Sequence, residues 1–151
     1  MFQLSERSWK NLEGVHPDLV AVTKSALACA EVDFGVICGL RTREQQAELV
    51  KAGASQTMKS KHLIGDAVDL MAYVGGKATW ELPPYFLVAE AVRTAAIDLG
   101  VAIRWGGAWT VPDIRYWEGT MENAYIAYCN QRFSEGRRPF IDAPHFERPN
   151  K

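Results

Sequence analysis

The stretch Ser60-Lys61-His62-Leu63-Ile64-Gly65-Asp66-Ala67-Val68-Asp69-Leu70-Met71-Ala72-Tyr73 decides how this chain folds. Its second half, Ala67 to Tyr73, is an apolar run of strand length, and Gly75-Gly76 breaks it. The polar residues 54–61 before His62 read as an exposed loop. His62 and Asp69 cannot share one face of a single strand, because a strand face repeats every second residue. With His62 in the approach loop, Gly65 lets the backbone turn and Asp69 can come back toward the same point. Small Ala67 allows close backbone approach beside them.

Working outward, Thr42 and Gln45 form a capping box that opens a helix, and Gly53 is placed to stop it. Before it, Phe34–Cys38 reads as a short buried strand. His16-Pro17-Asp18 starts an earlier helix, since proline suits the first helical position and an acid suits the positive end of the dipole. Its apolar stripe is Leu19, Val22, Ala26 and Ala30. Downstream, Pro83-Pro84 opens a third helix through Phe86, Val88, Ala91, Val92, Ala95 and Ile97, closed by Gly100. Val101–Trp105 is a strand candidate ended by Gly106-Gly107. A helix runs past Tyr125 and Tyr128 to Gly136, and His145–Arg148 is the last strand candidate. The expectation is one α+β domain over residues 1–151, a small antiparallel sheet with helices packed on it.

The chain has 151 residues, long enough to bury a core without staples. Hydrophobic residues make up 48% and charged residues 23%, the balance of a globular protein. A net charge of −1 removes any bulk argument for nucleic acid or a membrane surface. The three cysteines, Cys29, Cys38 and Cys129, are unevenly spaced within apolar stretches. They read as buried thiols and poor metal ligands. No signal peptide and no bilayer-length apolar run is apparent in the sequence.

The chemistry gathers at His62, Asp69 and the second stretch Asp142-Ala143-Pro144-His145-Phe146-Glu147. Imidazole and carboxylate both bind zinc, and a catalytic zinc keeps three protein ligands and one open position. Its bound water reaches a pKa of about 7, and a nearby carboxylate can take the proton. His62, Asp69 and His145 complete such a ligand set. Asp142 is one candidate base; Glu147 competes, because it shares a strand face with His145. Spacing does not choose between them.

Ser60-x-His62-x-x-Gly65-x-Ala67-x-Asp69 followed by Asp142-x-x-His145 resembles the signature of the D-alanyl-D-alanine carboxypeptidase superfamily of zinc peptidases. Gly39-Leu40-Arg41-Thr42 is similar to its Gly-Tyr-Arg-Ser segment, and Trp105-Gly106-Gly107-Ala108-Trp109 to the Trp-Gly-Gly-Asp-Trp of its phage members. The nearest resemblance is to phage L-alanyl-D-glutamate endopeptidases. It implies His62, Asp69 and His145 as zinc ligands, a zinc site at the sheet edge, Asp142 as general base, and Arg41 polarising the scissile carbonyl and stabilising the oxyanion. It also implies Ser60 in the cleft, bonded to substrate or to a ligand, and Trp105 as an apolar wall for the stem peptide. Two positions depart from the pattern. Leu40 replaces an aromatic, read as a core change, and Ala108 replaces a frequent aspartate, which removes any polar contact there.

The bland readings are a surface arginine for Arg41, core aromatics for Trp105 and Trp109, and a helix-entry residue before Pro17 for His16. The reading that results is an endolysin hydrolysing the L-alanyl–D-glutamate bond of peptidoglycan. It is expected to be a monomer made in the host cytoplasm and to reach the wall through a membrane lesion. No dedicated wall-binding module is apparent, which favours a thin Gram-negative wall. The alternatives are a D-alanyl-D-alanine carboxypeptidase or dipeptidase, and a non-catalytic, zinc-stabilised binding module.

Overall fold

The computed structural model describes residues 1–150. Two helices come first: α1, Glu6–Asn11, capped by the Ser5 hydroxyl, and α2, Pro17–Cys29, capped by the His16 imidazole. His16 stands at the helix entry as read and also caps it, its ring accepting from the Asp18 amide. β1, Asp33–Cys38, leads through the Thr42–Gln45 capping box into α3, Arg43–Lys51. β2, Ala67–Val74, and β3, Lys77–Thr79, form a hairpin over Gly75 and Gly76, both with positive φ. α4, Leu82–Leu99, ends at Gly100 with φ +69°. β4, Arg104–Trp105, α5, Met121–Ser134, and β5, His145–Glu147, complete the chain.

All strand pairs are antiparallel, in the order β1-β2-β5-β4. β1 occupies one edge of β2, so the other edge is shared by β5 against Ala67–Asp69 and β3 against Ala72–Val74. Alternation does the sorting. Val68, Leu70 and Ala72 of β2, Phe34 and Val36 of β1, and Phe146 of β5 are buried with the apolar faces of α2 and α4. Asp69, His145 and Glu147 therefore point to the opposite face. Tyr85 ties α4 to the hairpin: its hydroxyl accepts from the Ala72 amide and donates to the Thr79 carbonyl.

The α+β reading holds, with three local differences. Helix α1 and strand β3 are too short to show as periodic runs. The strand read at Val101–Trp105 is only Arg104–Trp105, because the Ile103 carbonyl accepts from Ile114 rather than from a strand partner. The approach to His62 ends not in open loop but in a 3₁₀ turn, Lys61–Ile64, that buries the histidine.

Candidate active site

His62 is positioned by its own turn. The Ser60 hydroxyl caps the turn by accepting from the His62 amide, and Gly65 ends it at φ +75°. A Cβ on Gly65 would lie 2.3 Å from the Gly14 carbonyl oxygen, so only glycine lets the two segments meet. His16 donates its amide to the Gly65 carbonyl, and Arg41 donates its amide to that of His62. His62 Nδ1 lies 2.7 Å from the Gly39 carbonyl and donates to it, which turns Nε2 toward Asp69.

The second stretch is clasped just as closely. Asp142 donates its amide to the Gly106 carbonyl, and Gly106 donates its own to that of His145. A Cβ on Gly106 would lie 2.2 Å from the Asp142 carbonyl oxygen. Trp105 Nε1 donates to the Ala143 carbonyl at 2.7 Å. The Trp-Gly-Gly sequence is thus the support on which the Asp142–His145 turn rests.

Pairing β2 with β5 puts Asp69 directly opposite His145. Asp69 Oδ1 stands 3.2 Å from both His62 Nε2 and His145 Nδ1. Asp142 Oδ2 is 3.9 Å from the same His145 nitrogen, and Arg41 Nη2 is 3.6 Å from Asp69 Oδ2. Candidate metal donors form two overlapping groups that share Asp69: Cys38 with His62, and Asp142 with His145. The site lies at one end of the sheet, where β1 stops and β5 starts against β2.

Charge here is strongly coupled. Burial disfavours a charged His62, but its bond to Asp69, with help from Cys38, outweighs that and pushes it up to about 10. His145 feels the same burial, opposed by Asp69 and Glu147, and rises to about 9. Burial would raise Asp69, yet its bonds to His145 and His62 hold it well below the usual carboxylate range. Asp142 goes the other way, raised by burial and then by the charge on Asp69.

The separations from Asp69 suit a zinc ion held with either histidine, and the two histidines fall in separate donor groups. Two atoms each about 2.0–2.2 Å from a tetrahedral ion stand about 3.3–3.6 Å apart, close to the observed separations from Asp69. Each imidazole also has its other nitrogen engaged, His62 by the Gly39 carbonyl and His145 Nε2 by Glu147 Oε1 at 2.8 Å, as metal-binding histidines do. The two carboxylates that spacing left in competition lie on different nitrogens of His145. Glu147 sits on the nitrogen turned away from Asp69, whereas Asp142 sits on the near one.

The cleft in front has a volume of about 610 Å³ and is walled by Arg41, residues 54–57 and 59–61, Trp109 and Phe140. Ser60 lines it as expected. Trp105 does not: it is fully buried between Phe86 and Phe146, and Trp109 is the tryptophan at the cleft. Leu40 is half exposed rather than in the core, and Ala108 is fully buried, where an aspartate would be a buried charge. The cysteines also differ from expectation, for only Cys129 is buried and Cys29 is exposed. A register shift between Val36 and Cys38 sets Cys38 opposite Asp69, and its sulfur lies 3.7 Å from His62 Nδ1. It stands behind the histidine, on the nitrogen facing away from Asp69.

One residue gave no sequence signal as a site residue. Gln46, fully buried, accepts from Arg41 Nη1 at 2.6 Å. The available hint was an α3 without an apolar stripe.

A sequence model of the family described as phage L-alanyl-D-glutamate peptidase matches residues 1–148. The L-alanyl-D-glutamate peptidase of Escherichia phage T5 is 36% identical over 112 residues, 72% of this chain and 82% of that protein. That of Listeria phage A118 is 37% identical over 107 residues, 69% of this chain but 37% of its own length. Among solved structures, the L-Ala D-Glu endopeptidase ChiX of Serratia marcescens is similar with a TM-score of 0.72 and 38% identity, over 97% of this chain and 89% of that one.

Proposed function

This chain belongs to the phage L-alanyl-D-glutamate peptidase family, and we propose that it performs that hydrolysis as a zinc-dependent endolysin. The peptidase activity on the L-alanyl–D-glutamate bond is that of the family and of the solved relative. Zinc dependence and the residue roles are our reading. The observation that carries them is Asp69 Oδ1, equidistant at 3.2 Å from one nitrogen of each histidine. His62, Asp69 and His145 would hold the ion, which when bound supplies Lewis acidity and lowers the pKa of a water molecule to about 7.

The chain's own groups do the rest. Asp142, at the cleft and beside His145, takes the proton of the attacking water and returns it to the departing D-glutamate amine. Arg41 donates to the carbonyl oxygen as it gains charge. The C–N bond breaks, leaving a carboxylate on L-alanine and an amine on D-glutamate. Ser60 holds the His62 turn, and Trp109 and Phe140 offer apolar surface to the peptide. In this reading the enzyme works as a monomer on peptidoglycan, made in the host cytoplasm and released through a membrane lesion. Among the described residues no helix is long and apolar enough to cross a membrane.

Mass spectrometry of fragments released from Gram-negative peptidoglycan tests this directly. New L-alanine carboxyl ends that vanish with a chelator and return with zinc are expected. Cleavage that persists after complete metal removal would sink the zinc assignment and leave the peptidase family standing.

A further inference from the structure

Helix α3 faces the body of the protein with an amide. Gln46 is its only buried residue, with no exposed surface at all. A buried amide is costly unless its hydrogen bonds are made. Those of Gln46 are made in two directions. Its Oε1 accepts from Arg41 Nη1 at 2.6 Å. Its Nε2 donates to Ser55 Oγ at 2.8 Å and to the Thr57 carbonyl at 2.5 Å. The segment that it holds walls the cleft together with Trp109 and Phe140. Backbone bonds from Ala54 and Ser55 to the Leu49 carbonyl anchor the start of this segment. Among the described residues, the one hydrogen bond that ties residues 56–59 to anything beyond the 55–59 segment is that from Gln46 Nε2 to the Thr57 carbonyl.

We propose that Gln46 is a positioning residue that locks the cleft wall at residues 55–59 and the Arg41 guanidinium into one unit. The inference rests on the reading of Arg41 as the group that meets the scissile carbonyl. An amide suits this task better than a carboxylate. As a neutral acceptor it orients the guanidinium without neutralising the charge that the oxyanion needs, and its NH₂ holds the loop at the same time. Glutamate there would pair with Arg41 and lose both donors to the loop.

The test is hydrogen–deuterium exchange of the 54–60 segment in the full chain, alongside kcat and KM on peptidoglycan fragments. Gln46→Leu and Gln46→Glu should each speed exchange in the segment about tenfold or more, the scale of one or two lost hydrogen bonds. Both should lower kcat about 10²-fold with a smaller change in KM. Coupling is reciprocal, so Arg41→Ala should loosen the same segment without touching it. Far-UV circular dichroism establishes which variants fold, and the isosteric Gln46→Glu keeps the test alive where leucine unfolds the helix. Unchanged exchange in a folded Gln46 variant overturns the proposal, as does a loosened segment with wild-type kcat where Arg41→Ala does lower turnover. If Arg41→Ala loosens the segment but leaves turnover intact, the lock stands and only the catalytic reading of Arg41 falls.

Discussion

Glu147 Oε1 stands 2.8 Å from His145 Nε2, and both side chains are buried on the same face of β5. The contact holds the ring with Nδ1 facing Asp69, and in the proposed zinc site Glu147 supports a ligand without being one. Glu147→Ala should weaken zinc affinity about 10- to 100-fold, read by competition with a chromophoric chelator. An unchanged affinity would mean that packing by Trp109, whose ring lies 5.4 Å from that of His145, is enough to hold the imidazole.

The raised histidines set a pH dependence for the metal-free protein. His62 at about 10 and His145 at about 9 both lie above the ordinary 6.5. Their stabilising charge is fully present below 6.5 and is lost as pH rises through 9 to 10. Asp69 is depressed, so its contribution is present above its ordinary 3.8 and is lost as acid protonates it in the fold. Chelator-treated protein should therefore melt highest between about pH 4 and 6.5 and lose Tm steadily toward pH 10. Zinc bound by these residues near pH 7 should displace these protons. Calorimetry in buffers of different ionisation enthalpy should detect their release.

In the proposed mechanism Asp142 moves a proton while His62, Asp69 and His145 hold the ion. Asp142→Asn should lower kcat on the order of 10²–10⁴-fold while zinc content stays at the wild-type level. Stoichiometric zinc with full turnover would remove the residue from the chemistry.

Gly106 tests the support beneath that residue. Gly106→Ala forces a Cβ to within 2.2 Å of the Asp142 carbonyl, which must shift and carry His145 with it. A loss of about 1–3 kcal/mol in stability is expected by analogy with overpacked cores. Zinc affinity should fall as well, although the residue touches no ligand side chain.

Local chemistry made much of this protein legible in one dimension. Proline at the start of α2, the Thr42–Gln45 box and Gly100 after α4 act within a turn of the chain, so their reading needs no knowledge of the fold. The spacing from His62 through Gly65 to Asp69 is similarly local, and the structure brings those two residues together with His145. Which long-range partner each side chain meets was decided by strand pairing and burial. The register shift in β1 delivers Cys38 to His62, and the β2–β5 register sets His145 against Asp69. The same packing takes Trp105 into the core and leaves Trp109 at the cleft, a choice that sequence spacing cannot make because tryptophan suits both places. Gln46 is the sharpest case. Its value lies in Arg41 on one end of a buried amide and Ser55 and Thr57 on the other, and only the folded chain brings them within reach.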